Sequence, residues 1–95
     1  MIMSASVQHQ RRLMRAVASG DTVAFSTLYD ILGVATYTVF RRHLPTVADA
    51  DTAMKLMWLY VWQNAQSMNC RPGSPEQAIL ATAEDQAQSL AGFAR

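Results

Sequence analysis

His9, His43 and Cys70 are the side chains best suited to hold a transition metal, and their placement argues against one. Zinc sites draw on ligand pairs roughly two to five residues apart, whereas these three stand far apart in sequence. The carboxylates are no better placed for catalysis. Asp49 and Asp51 are two positions apart, and on a helix that offset sends them to nearly opposite sides, so they make a poor acid–base pair. Glu84 and Asp85 are adjacent and read as a solvated acidic patch. Gly33 and Gly73 are lone glycines, not parts of a phosphate-cradling loop. The expectation is a protein that is not an enzyme and takes neither a metal nor another cofactor.

The chain that must position these residues has 95 of them, enough for one domain (1–95) with a single core. Charged residues make up 16%, against a usual ~25%, so part of the surface is expected to be covered by something other than water. The formal charge of +1 provides no global basic field for nucleic acid. Charge is unevenly spread: residues 1–45 carry five Arg against two Asp, whereas residues 76–95 carry Glu76, Glu84 and Asp85 against Arg95. One cysteine, Cys70, excludes an internal disulfide and fits a reducing cytoplasm. The first residues lack the charged and apolar regions of a signal peptide, and the longest apolar run, Leu56 to Trp62, is far short of the ~20 residues that span a bilayer. The chain reads as soluble and cytoplasmic, with no membrane partner.

Apolar periodicity and breakers predict four helices. The first seven or so residues are expected to be frayed. A helix over about Val7–Ala18 places Leu13, Met14 and Val17 opposite Gln8, Arg11, Arg12 and Arg15, and the arginines read as a solvated face. Gly20 supplies a stop and Asp21 the next cap. The second helix, about Thr22–His43, carries the stripe Phe25, Leu28, Tyr29, Leu32, Thr36, Val39 and Phe40. After Leu44-Pro45, Thr46 caps a third helix reaching about Ser67. Ser74-Pro75-Glu76-Gln77 then opens a fourth, to about Phe93, with Ile79, Thr82, Ala83, Gln86, Leu90 and Phe93 on one side. The expected architecture is an all-α helical bundle. Its organising stretch is Met54–Trp62. Ala50, Ala53, Met54, Met57, Trp58 and Val61 share one side of that helix, and Phe25, Leu28, Tyr29 and Trp62 are expected to join them in the core. The opposite side is not polar: Leu56, Leu59 and Tyr60 stand there with Lys55, Thr52 and Gln63. Either the N-terminal helix wraps these three or they form an exposed patch that marks an interface, and the interface is the expectation.

Several short motifs occur in a fixed order: Leu13-Met14-Arg15, Gly20-Asp21, Ala24-Phe25, Leu28-Tyr29-Asp30, then Tyr37 and Arg42. They continue with Ala48-Asp49-Ala50-Asp51, Trp58-Leu59-Tyr60-Val61-Trp62 and Gly73-Ser74. From about Leu13 to Leu90 this series resembles region 2 of bacterial RNA polymerase sigma factors of the extracytoplasmic-function class. The resemblance implies an all-helical bundle acting in transcription initiation, with core RNA polymerase and promoter DNA as partners. In that family the third helix grips the clamp coiled coil of the polymerase, and the following loop and fourth helix open and read the minus-ten element. Carried over, the polymerase-binding positions are Asp51, Thr52, Lys55 and Leu56, which Leu59 and Tyr60 of the apolar patch join as expected partner-binding residues, and the DNA-binding candidates are Arg42, Arg71 and Ser74.

The departures fall on functional positions. Lys55 replaces an amide and Leu56 a carboxylate, which removes charge-assisted bonds to a basic clamp. Ala78 stands where the family has Trp, Met68 where it has a loop aromatic, and Glu84, Asp85 and Gln86 where it has basic or amide side chains. Carboxylates beside phosphates repel. A second expectation follows: a sigma-like protein-interaction module, pairing with itself, an anti-sigma factor or a polymerase component, without promoter reading of its own.

Overall fold

The computed structural model describes residues 6–93. The order is α1 (Val7–Ala18), α2 (Thr22–His43), α3 (Val47–Asn69) and α4 (Pro75–Phe93). Each boundary has a local chemical cause. Ser6 caps α1, its hydroxyl accepting from the His9 N–H at 3.1 Å. Gly20, at φ 90°, closes α1 by donating its N–H to the Val17 carbonyl at 2.9 Å. Asp21 then accepts from the N–H groups of Val23 and Ala24 at 3.0 and 3.1 Å and starts α2. Leu44 is extended, as a residue before proline must be, and ends α2. Thr46 caps α3 through the Asp49 N–H at 3.0 Å. Ser74 and Gln77 form a reciprocal box at the start of α4: Ser74 Oγ accepts from the Gln77 N–H at 3.1 Å, and Gln77 Oε1 from the Ser74 N–H at 3.0 Å.

Every helix packs against the other three. The core runs through Met14, Leu28, Leu32, Phe40, Met57, Val61, Met68 and Ile79. α4 contributes mostly small buried residues, Ala78, Ala83 and Ala87, which let its backbone come close to its neighbours. Buried Thr36 bonds back to the Leu32 carbonyl at 2.9 Å, and its oxygen lies 3.4 Å from Trp58 Nε1, so the indole N–H has an acceptor in an apolar setting. The radius of gyration, 13.2 Å, is that of a compact globule, for which ~13 Å is normal near this length. α2 is long and apolar enough to cross a membrane by length and composition alone. Here it lies among three other helices and buries Leu28, Leu32, Thr36, Val39 and Phe40, as the central helix of a globule does.

Some expectations need correction. Ser6 and Val7 are a helix cap and a first turn rather than a frayed end, and residues 1–5 lie outside the described residues. α3 runs two residues past Ser67 to Asn69. It bends at Asn64 (φ −123°, ψ 19°), whose side-chain amide donates to the Tyr60 carbonyl at 2.9 Å. Phe25 and Trp62 are half-buried, and Tyr29 is 42% exposed, because no helix covers the outer edge of the α2–α3 seam. Gln86 and Leu90 are half-buried, and the side chain of Phe93 lies outside the described residues.

Candidate functional site

Thr52, Lys55, Leu56 and Leu59 fall at spacings of three and four and form one solvent-facing stripe along α3. Leu56 and Leu59 are 52% and 50% exposed, so α1 does not wrap them. Asp51 is also exposed, at the edge of this stripe, whereas Tyr60 is half-buried and packs against the core. Burying a leucine fully is worth about 1.5–3 kcal/mol, so roughly half of that remains available at each exposed leucine. The structure brings five of the six expected partner-binding residues onto one accessible face, and Tyr60 borders it.

The DNA-binding candidates are not brought together. Arg42 is exposed in the last turn of α2, where its charge suits the helix dipole. Arg71 is exposed in the loop after α3. These two points flank opposite ends of a 23-residue helix, which at 1.5 Å per residue is about 35 Å long. The Ser74 hydroxyl is engaged as the α4 cap. Glu84 is not simply part of a solvated patch: its Oε1 lies 2.5 Å from Nε2 of His43, joining α4 to the end of α2, while Asp85 is exposed.

Beside Arg71 the structure holds a network that sequence patterning does not reveal. Arg11 is half-buried, not part of a solvated face. Its Nη1 donates to the Asn69 carbonyl at 2.8 Å and reaches Asn69 Oδ1 at 3.4 Å, while Nη2 donates to the Gly73 carbonyl. Asn69 Nδ2 donates in return to the Arg11 carbonyl at 3.4 Å. Gln10, 2% exposed, accepts from the Glu76 N–H at 3.0 Å and donates from Nε2 to Glu76 Oε1 at 3.4 Å. It thereby satisfies a first-turn N–H of α4 that the Ser74 cap leaves open. Two consecutive residues of α1 thus hold the loop between α3 and α4. No local signal marks this pair, because the partners lie about 60 positions downstream in the chain.

A groove of about 760 Å³ opens between α2 and α3, walled by Phe25, Tyr29, Tyr37, Met54 and Trp58. Asp30, Asp51 and Lys55 stand at its edges. The rings brace one another: Tyr29 and Trp58 have centroids 5.1 Å apart, and Phe25 meets Trp58 edge-on at 5.9 Å and Trp62 at 5.2 Å. Gly33 makes the space, since a Cβ there would come within 3.3 Å of the Tyr29 ring.

Fold and surface together define an all-α four-helix bundle with an exposed stripe on α3 that carries two leucines and an adjoining aromatic groove. Comparison with family models, with curated proteins and with solved structures finds no match to this chain.

Proposed function

We propose that this chain is a cytoplasmic, sigma factor region 2-like domain that acts in transcription initiation and docks on the clamp of core RNA polymerase through the outer face of α3. The observation that carries this reading is the exposed stripe Thr52, Lys55, Leu56 and Leu59. It lies on the helix that the resembled family uses for clamp binding, with Thr52, Lys55 and Leu56 at the matching positions and Leu59 adjoining them. Its chemistry differs: Lys55 stands where the family has an amide and Leu56 where it has a carboxylate, so docking here depends more on burial of Leu56 and its neighbour Leu59 than on charge. Arg42 and Arg71 supply the cations toward promoter DNA, at opposite ends of α3.

A second reading is favoured by Lys55 and Leu56 on the docking stripe and by exposed Asp85 on α4. It is a sigma-like interaction module that binds a second copy, an anti-sigma factor or a polymerase component without reading a promoter. Co-purification with core polymerase, together with a salt-dependent shift of minus-ten DNA, separates the two. Both signals support the first reading. Neither signal, with a dimer by light scattering that Leu56→Asp dissociates, replaces it with the second.

A further inference from the structure

We propose that the α2–α3 groove is a binding site for an amphiphilic organic cation, a quaternary ammonium group carried on an apolar or aromatic body. The proposal rests on the groove and not on the transcriptional reading, although Asp51 and Lys55 at its edge also belong to the expected partner-binding residues. Its volume, about 760 Å³, falls within the ~300–1,000 Å³ usual for small-ligand sites. Its walls are aromatic on both helices, with Tyr29 and Tyr37 on α2 and Trp58 on α3. Ring–ring contacts at 5.1 and 5.9 Å set Tyr29 and Phe25 against Trp58, so part of the ordering is done before a ligand arrives. Gly33 keeps the middle of the groove open, because any Cβ there presses on the Tyr29 ring.

Charge selects the ligand. Asp30 and Asp51 are exposed at the groove, and neither makes a side-chain hydrogen bond or ion pair among the described residues. Lys55 is four residues from Asp51 on the same helix and is within reach to offset it, which leaves Asp30 uncompensated. An anion entering the groove meets two carboxylates against a single ammonium, that of Lys55. A neutral apolar ligand strips water from them and returns nothing. A cation with an apolar body satisfies both features: aromatic faces attract its positive charge, and a quaternary centre sheds its weakly held water at small cost.

The test is titration of the full chain with phenyltrimethylammonium, following the indole N–H of Trp58 and the amide of Gly33 by NMR. The uncharged carbon isostere, tert-butylbenzene, is titrated in parallel. Saturable shifts at both positions are expected, with the cation bound about fivefold more tightly than the isostere and more tightly still at low salt. Asp30→Asn and Asp51→Asn should each weaken the cation about threefold and leave the isostere unchanged. Both aspartates are exposed, so the amides keep the fold, which the unshifted Trp62 indole signal verifies. Equal affinity for cation and isostere overturns the proposal, as does unchanged cation affinity in both amide variants. Absence of saturable shifts at Trp58 and Gly33 overturns it as well. None of these outcomes bears on polymerase or promoter binding, which is measured separately.

Discussion

Arg11 does the work of several weaker contacts. A guanidinium presents donors in a fixed fork, and here two arms reach carbonyls of Asn69 and Gly73, four residues apart on either side of a turn. Hydrogen bonds to a charged group contribute about 1.5–3 kcal/mol, and the half-buried setting limits screening. Arg11→Ala should therefore destabilise the bundle by about 2 kcal/mol in urea unfolding, with the exchange of the Arg71 and Gly73 amides speeded further. Arg11→Lys, a point charge without the fork, should recover less than half of the loss. A Lys variant as stable as the parent would show that charge, not the fork, holds the loop. Gly33 is the opposite case, a residue defined by what it omits. Alanine there gains about 1 kcal/mol of helix propensity but sets its Cβ 3.3 Å from the Tyr29 ring. Because Tyr29 is 42% exposed, its ring can yield, and Gly33→Ala should raise stability by up to about 1 kcal/mol while narrowing the groove. Thermal unfolding reads the sign directly, and a destabilised variant would mean that the ring is held in place.

At the scale of the elements, the boundaries are local chemistry and the α4 start is the fullest instance. Ser74 and Gln77 cap each other reciprocally, and Gln10 of α1 takes the Glu76 N–H between them. Removing the hydroxyl in Ser74→Ala should cost about 1 kcal/mol by denaturant unfolding, and Gln77→Ala somewhat less. Gly73→Ala should cost more than either, because it forces a side chain into φ 86° and drives its Cβ against Gln77 Oε1. A Gly73→Ala variant no weaker than Ser74→Ala would sink this ordering. The same local chemistry explains why the helices are legible in the sequence. Gly20-Asp21, Leu44-Pro45-Thr46 and Gly73-Ser74-Pro75 carry their own stop and start signals, and the ends of α1 and α2 and the starts of α2, α3 and α4 follow them. The end of α3 is less legible, since nothing in Ser67-Met68-Asn69 stops a helix and Asn69 is fixed from α1 by Arg11. Tyr29 is misplaced for a related reason: a stripe at three- and four-residue spacing gives the face of a helix but not whether a neighbour covers its edge. Leu56 and Leu59 are legible as an excess beyond a core already filled, and their exposure follows from that excess.

At the scale of the whole molecule, the core and the exposed α3 stripe draw on different residues. The core closes among all four helices through buried Met14, Leu28, Phe40, Met57 and Ile79, none of which lies on the outer stripe of α3. Leu56 and Leu59 are half exposed, so replacing them removes little that the folded chain relies on. Substitutions at such surface positions usually change stability by less than about 0.5 kcal/mol. The double variant Leu56→Asp/Leu59→Asp should therefore unfold in urea within about 1 kcal/mol of the parent, the sum of two such changes, and with the same denaturant dependence. Its association should not survive, because two carboxylates then face whatever apolar surface the leucines would have met. Loss of capture by core polymerase, measured by co-purification at fixed salt, follows from the docking reading. Dissociation of a dimer in light scattering follows from the self-pairing one. In both cases the loss must occur with the unfolding curve inside that range. A double variant that unfolds early would place these leucines in the stability of the bundle, and one that keeps every association would leave the stripe without a docking role. Coupling the two measurements on one protein distinguishes a surface held ready for a partner from a core imperfectly covered.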